Sequence, residues 1–258
     1  QPVILIRTPY HRSSVEPVAL EIMAAYDATV FVQDVRGRGD SQGVDSVFRD
    51  DALDGRESLD WIEFLGWSNG VVASWGSSAL AITQMLMAPD ATPLYQCQYT
   101  SVGTHAIADQ VAYRGGVRRR DVDVWLTDQD ATSIIGQWDA HPDPEDSYWE
   151  TLDLTDAKIA AIRTAGIHVG GWFDVFQQGT IDYFTRVQAS GGEGALGRQH
   201  LLVGPWSHGG QDGDVVFPLA DKVDSPLPSL ESAWREGCLH AGGPVLDEMP
   251  AVYLYIMG

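Results

Sequence analysis

Ser78 stands between an apolar run, Gly70-Val71-Val72-Ala73-Ser74-Trp75, and an apolar helix-like segment, Ala79 to Met87, with Gly76 and Ser77 leading into it. A serine on a sharp strand-to-helix turn projects its hydroxyl beyond the sheet, with a helix N-terminus behind it. That is the context of a G-x-S-x-G nucleophile elbow. In this register Gly76 is the first position, Ser77 a filler and Ser78 the tip. Leu80 occupies the fifth position, where the motif has glycine, and the nearest small residue is Ala81, so the approach of strand to helix is expected to be crowded. The same residues also fit a plain helix start at which Ser77 or Ser78 caps the backbone. Taken alone, the stretch admits both readings.

A nucleophilic serine needs a general base, and the base needs an orienting carboxylate; in doubly wound hydrolases they follow in the chain order Ser, Asp or Glu, His. Asp174 comes just after the apolar run Ile167 to Gly171, and His208 follows the run His200 to Val203 within Gly204-Pro205-Trp206-Ser207-His208-Gly209-Gly210. Each has a plain alternative, a helix cap for Asp174 and a surface loop for His208. Three residues in the required order, each past a predicted strand, favour a Ser78-Asp174-His208 triad, whose chemistry is acyl transfer.

Short, nearly uncharged runs alternate with amphipathic segments, which predicts an α/β fold with a mostly parallel central sheet flanked by helices. Predicted strands are Val3 to Arg7, Thr29 to Val35, Val71 to Trp75, Leu94 to Thr100, Ile167 to Gly171 and His200 to Val203. Predicted helices are Val15 to Tyr26, Asp50 to Phe64, Ser78 to Met87, Thr155 to Ala165, Gln177 to Ala189 and Ser229 to His240. Between them, Thr104 to Leu154 carries few strand signals, many charges, and the aromatics Tyr113, Trp125, Trp138, Tyr148 and Trp149. It reads as a small helical cap inserted at 104–154 into a core formed by 1–103 and 155–258. Ser207 to Pro228, rich in Gly, Asp and Pro, reads as a long functional or mobile loop.

The chain has 258 residues and a formal charge of −20, and its only lysines are Lys158 and Lys222. Phosphate neutralisation needs clustered basic residues, so a nucleic-acid partner is excluded. Arg118-Arg119-Arg120, set among Asp121, Asp123 and Asp128, reads as a solvated or salt-bridged face. Cys97 and Cys238 have no metal-ligand spacing and are expected to be two buried free thiols. No apolar run is long enough to cross a bilayer and no signal-peptide pattern is present; the compartment stays open, with the cytoplasm slightly favoured. The first residues, Gln1-Pro2, and the strand-like end, Ala251 to Gly258, both suggest a piece of a longer protein.

Several blocks together resemble the CocE/NonD hydrolases, an α/β-hydrolase family that includes cocaine esterase, the α-amino-acid ester hydrolases and, more distantly, the X-prolyl dipeptidyl peptidases. They are Ile6-Arg7-Thr8-Pro9-Tyr10, Asp34-Val35-Arg36-Gly37-Arg38-Gly39-Asp40-Ser41-Gln42-Gly43, Asp60-Trp61-Ile62, Trp67-Ser68-Asn69-Gly70, the elbow, His168-Val169-Gly170-Gly171-Trp172-Phe173-Asp174, and Gly204-Pro205-Trp206-Ser207-His208. The resemblance implies a serine acyl hydrolase with Ser78 as nucleophile, Asp174 as orienter and His208 as general base. It also implies an oxyanion hole made by the Tyr10 phenol and the backbone N–H of Ala79. The Arg36 to Gly43 stretch is expected to be a structural loop, and its Arg-Gly-Asp tripeptide too short a match to mean adhesion. Two departures stand out. The family commonly has tyrosine after the serine and glycine two further on, where this chain has Ala79 and Ala81. Its usual members also carry a larger cap and a C-terminal jelly roll, which this sequence does not reach.

The implied reaction is two-step hydrolysis of an ester, or of an amide or α-amino-acid ester, through an acyl-enzyme, with no metal or organic cofactor and no membrane partner. Trp172, Phe173 and Trp206 border the proposed triad in sequence and are expected to form an apolar substrate wall, with the cap aromatics adding to it. The cap acids Asp121, Asp123, Asp143 and Glu145 read as solvated charge in preference to an ammonium site, and His105 and His141 as structural or surface residues. X-prolyl dipeptidyl peptidase-like activity and a hydrolase fold retained only for binding stay open as alternatives.

Overall fold

The computed structural model describes residues 1–209, 227–240 and 246–256. Its strands and helices follow in chain order: β1 (Val3–Thr8), α1 (Arg12–Tyr26), β2 (Thr29–Asp34), α2 (Asp51–Glu63), β3 (Val72–Ser77), α3 (Ala79–Met87) and β4 (Tyr95–Ser101). After an excursion come β7 (Ala165–Phe173), α7 (Gln177–Ser190), β8 (Gln199–Ser207), α8 (Leu227–Trp234) and β9 (Val252–Leu254). Seven strands form one sheet in the order β2-β1-β3-β4-β7-β8-β9, and every neighbouring pair is parallel. A parallel sheet has both faces covered, which is why its strands carry almost no charge. β1 shows the alternation: Val3 and Leu5 join α2, α3 and α7 in one core, while Ile4 and Ile6 join α1 and α8 in the other.

The predicted elements recur with shifted ends. β7 and β8 run further than the apolar runs suggested, to Phe173 and Ser207. The helix expected over Thr155 to Ala165 is shorter, α6 (Asp156–Ala161), because Thr155 caps its start and Ala165 already pairs with Cys97 in the sheet. Residues 210–226 of the long loop lie outside the described residues.

Between β4 and β7 the chain leaves the sheet. It forms a π-helical turn (Ile107–Ala112), a two-residue hairpin of β5 (Tyr113–Arg114) and β6 (Val117–Arg118), and the helices α4 (Arg120–Asp128), α5 (Thr132–Asp139) and α6. Trp149 organises this segment, its ring centroid 6.2 Å from Tyr113, 6.0 Å from Trp138 and 5.0 Å from Tyr148. Tyr113, Trp138 and Trp149 thus join the core that the sheet shares with α2, α3 and α7, with Tyr148 partly buried at its edge. The arginine cluster is salt-bridged as expected: Arg118 pairs with Asp123 and Asp139, Arg119 with Asp121, and Arg120 with Asp123.

The cysteines differ from the sequence reading. Cys97 and Cys238 form a disulfide, Cα atoms 5.8 Å apart across 141 residues of sequence. Cys97 lies on β4, and Cys238 on the π-helical turn (Arg235–Leu239) that continues α8 over the same sheet face. No spacing rule reveals a pair that only the packing of α8 brings together. Disulfides persist in oxidising compartments and are rare in the cytosol, which weighs against the cytoplasmic expectation. Among the described residues no helix is long and apolar enough to cross a membrane.

Candidate active site

Because the sheet is parallel, the residues that follow β1, β3, β7 and β8 emerge along one edge, the carboxyl edge where ligands bind in such folds. Those residues include Tyr10, Ser78, Asp174 and His208. Ser78 has φ 56° and ψ −124°, a left-handed backbone that costs a non-glycine residue ~1–3 kcal/mol. Its N–H donates to Ser101 O at 2.9 Å, and its carbonyl accepts from Ala81 and Ile82 of α3 at 2.9 and 3.0 Å. Its hydroxyl makes no capping bond to the helix. Instead, Ser78 Oγ lies 2.9 Å from His208 Nε2. The capping alternative is thereby set aside.

The crowding expected at the elbow is relieved by two glycines. Leu80 lies over Gly76, where a Cβ would stand 2.5 Å from Leu80 Cβ. Ala81 faces Gly103, just past β4, where a Cβ would stand 2.7 Å from that of Ala81. The space a glycine on the helix usually creates is made here on the opposing segment.

Asp174 follows β7 directly, its side chain fully buried, and its Oδ1 lies 2.6 Å from His208 Nδ1. A carboxylate on Nδ1 places the proton of a neutral ring there and leaves Nε2 to accept from the Ser78 hydroxyl. The Phe176 ring meets the imidazole edge to face at 5.4 Å, and the Arg119 guanidinium lies 5.3 Å from the centre of the Phe176 ring.

Tyr10 follows β1, with its N–H donating to Thr8 Oγ1 at 3.0 Å. Its phenol accepts from the indole N–H of Trp125 at 3.2 Å. Burial pushes the phenol pKa up, partly offset by hydrogen bonds to Trp125 and Ser78. The Ala79 N–H opens α3 and has no acceptor among the described residues.

A cavity of about 300 Å³ opens over Ser78 and His208. Phe48, Ile82, Val111, Val122, Trp125, Val175 and Phe176 make its wall apolar, and Arg119 and Asp121 are its ionised groups. The three aromatics expected to form this wall do not line it. Trp172 packs on a separate cluster with Phe184, Leu201 and Val203, and its N–H donates to Tyr255 O; Phe173 is exposed; the Trp206 ring fills the space above Gly204. Side chains alternate along a strand, so adjacency to Asp174 and His208 in sequence does not bring them to the same side. The wall comes instead from α3, α4, the loop before α2, the π-helical turn that carries Val111 and the turn after β7 that carries Val175 and Phe176. Of its residues, Trp125 was legible as a cap aromatic, and Asp121, Val122 and Trp125 share a helical face. Phe48 gave no signal.

The acidic cap residues also separate. Asp121 borders the cavity and accepts from Arg119, whose guanidinium holds its carboxyl below the usual range. Asp123 is buried against Arg118 and Arg120. His105 is buried and accepts from Arg186, and His141 pairs with Asp146.

A larger depression of about 420 Å³ lies beside Arg7, Phe31, Gln33 and Trp61. Ser41 and Ser58 line it beside Asp34, Asp54 and Glu57, but their hydroxyls donate to the Asp34 and Asp54 carbonyls and no histidine among the described residues borders it, so the smaller cavity is the candidate site. His11, Asp34 and Asp40 converge closely enough to hold a cation, but Arg12 already bridges both carboxylates at 2.9 and 2.5 Å. The Arg36 to Gly43 loop is accordingly structural. Asp34 also accepts from Asp40 N–H, and Gly39 turns the chain at φ 52°.

The X-Pro dipeptidyl-peptidase family (S15) matches the chain over residues 1–133 and 118–210. The cocaine esterase of Rhodococcus sp. (strain MB1 Bresler) is 25% identical, over 100% of this chain and 53% of its own length. A selenomethionine-labelled α-amino acid ester hydrolase superposes with a TM-score of 0.76 at 18% identity, over 98% of this chain and 52% of its own. A CocE/NonD family hydrolase from Staphylococcus aureus superposes with a TM-score of 0.75 at 17% identity, over 98% and 48%. The chain thus spans about half the length of these relatives, and the structural likeness is one of fold.

Proposed function

The chain belongs to the X-Pro dipeptidyl-peptidase (S15) family, and on that premise we propose that it is a serine hydrolase of carboxylic esters with Ser78 as nucleophile, His208 as general base and Asp174 as its orienter. The observation that carries this reading is the unbroken chain of hydrogen bonds from buried Asp174 through His208 to Ser78, at 2.6 and 2.9 Å. His208 Nε2 takes the hydroxyl proton as Ser78 Oγ attacks the substrate carbonyl. The imidazolium that forms is stabilised by Asp174 and returns the proton to the departing alkoxide, leaving an acyl-serine. Water then attacks the acyl carbon, with His208 again as base, and the acid is released. Tyr10 and the Ala79 N–H are the donors for the oxyanion, each of a kind that lowers the barrier by about 3 kcal/mol.

The apolar wall favours a hydrophobic acyl group of modest size. A peptidase reading is favoured by the family's X-Pro dipeptidyl-peptidase members and by Asp121, a carboxylate at the cavity able to face a substrate ammonium. Asp121 is already paired with Arg119, so an ammonium would have to share the carboxylate with a guanidinium. Uncharged esters meet no such competition, and the ester reading is preferred. The partner is then a small molecule.

The test is a fluorophosphonate probe followed by digestion. Label is expected on Ser78, absent in Ser78→Ala and weakened in His208→Ala. Folded protein that takes no label would leave only a binding role. Rates on p-nitrophenyl esters, amino-acid esters and proline dipeptide anilides then rank the substrates, and faster cleavage of the anilides would reverse the preference stated here.

A further inference from the structure

We propose that Trp125 is a positioning residue that aims the Tyr10 phenol at the reacting carbonyl, so that the helical excursion completes the oxyanion hole of the sheet. The inference rests on the Ser78 reading above. A phenol has one proton and can turn it toward any acceptor within reach. Here the Trp125 indole N–H, a donor only, points at the phenol oxygen at 3.2 Å. Trp125 therefore occupies an acceptor position on that oxygen and offers the phenol proton no alternative acceptor of its own. The proton is left to turn toward the cavity that Tyr10 and Ser78 both line. A donor on the oxygen also polarises the O–H and strengthens the bond it gives to a developing oxyanion.

The indole is itself held. Phe48 stacks on Trp125 with ring centroids 6.0 Å apart and planes within 7°. Phe48 and its neighbour Val47 both sit at positive φ, 68° and 41°, although neither is glycine and valine is β-branched. Strained backbone of this kind persists only where surrounding structure holds it. In this loop both side chains are buried and the Phe48 ring is set under the indole. Across the same junction Arg38 donates to Pro9 O at 3.1 Å and to Gln129 Oε1 at 2.5 Å. It joins the residue before Tyr10 to the residue that ends α4. Two separate links thus fix Tyr10 relative to α4.

A tryptophan serving only as apolar wall would tolerate phenylalanine. The test is therefore a cycle of Trp125→Phe, Tyr10→Phe and the double variant, assayed on p-nitrophenyl butyrate. Trp125→Phe is expected to lower kcat about tenfold with KM little changed. In the Tyr10→Phe background the same substitution should cost nothing further, because there is no phenol left to aim. A second readout is independent of turnover. Removing a donor from the phenol oxygen raises the ionisation pH of Tyr10, followed by NMR of ¹³Cζ-labelled tyrosine in Trp125→Phe. Additive losses in the double variant, a rise in KM alone, or an unmoved Tyr10 titration in folded protein would each overturn the inference. If Ser78 fails to take a fluorophosphonate label, the hydrolase reading falls and this one with it. A labelled Ser78 with an additive cycle removes only the role of Trp125.

Discussion

The Asp174 carboxylate stands 2.6 Å from His208 Nδ1 while its own side chain has no exposed surface. That relation sets the tautomer of the base. Asp174→Asn keeps the shape but can present an N–H to Nδ1, favouring the tautomer whose Nε2 carries the proton and cannot accept from Ser78. We expect kcat for p-nitrophenyl esters to fall by roughly 10³- to 10⁴-fold, with the melting transition preserved. A loss of tenfold or less would mean that Asp174 does not orient the base.

Gly103 and Ala81 test how the elbow is closed. Gly103→Ala places a Cβ 2.7 Å from that of Ala81 and 3.3 Å from Met85 Cε, and is expected to destabilise the protein by ~1–3 kcal/mol. The double variant Gly103→Ala, Ala81→Gly moves the glycine to the helix side and should regain most of the loss in urea unfolding. No recovery would show that the constraint lies elsewhere.

The Cys97–Cys238 bond closes a loop spanning 141 residues and anchors the segment after α8 on the sheet. Reduction, or Cys238→Ala, is expected to lower stability by about 2–4 kcal/mol. Calorimetry with and without reductant measures it, and identical transitions in wild type and variant without reductant would mean that the bond does not form in solution.

Acid stability follows from two buried histidines. Burial first, and then the Arg186 guanidinium, push the His105 pKa down to about 3. Burial, reinforced by nearby His200 and only partly offset by Gln199, brings His168 to about 4. Both lie below the ordinary value of roughly 6.5, so the unfolded chain binds protons that the folded chain refuses. Their contribution is complete above about 6.5 and is lost as pH falls toward these folded values. Asp153 acts in the opposite sense, because burial pushes its carboxyl up to about 6 and favours the folded state as pH falls from there toward the ordinary carboxylate value. Burial also raises the carboxyls of Asp45 and Asp51, which act in the same sense as Asp153, so the histidine contribution is read from the change in slope when one histidine is removed. Stability followed by urea unfolding from pH 8 to 4.5 should fall less, or rise more, in His168→Gln than in wild type. An unchanged slope in that variant would remove His168 from the account.

Much of the fold was legible along the chain. Strands buried on both faces must be short, apolar and uncharged, and β1, β3, β7 and β8 announced themselves in that way. The order of Ser78, Asp174 and His208 past three such strands was enough to set them on one edge, because parallel strands all end on the same side. Where each strand stops was less legible. Trp172, Phe173, Trp206 and Ser207 are not charged and gave no signal as to whether they were wall or strand, and the extra strand residues turned the expected aromatics away from the cavity.

Sequence by itself therefore determined the α/β architecture and the three residues proposed for acyl transfer, since both depend on local periodicity and on chain order. Tertiary structure alone decided the rest. It replaced the missing helix glycine with Gly103, joined Cys97 to Cys238, and placed Phe48, Trp125 and Arg119 around Ser78. The physical reason is common to all three: each is a contact between segments far apart in the chain, fixed by how helices and loops pack on the sheet and carried by no pattern within either segment.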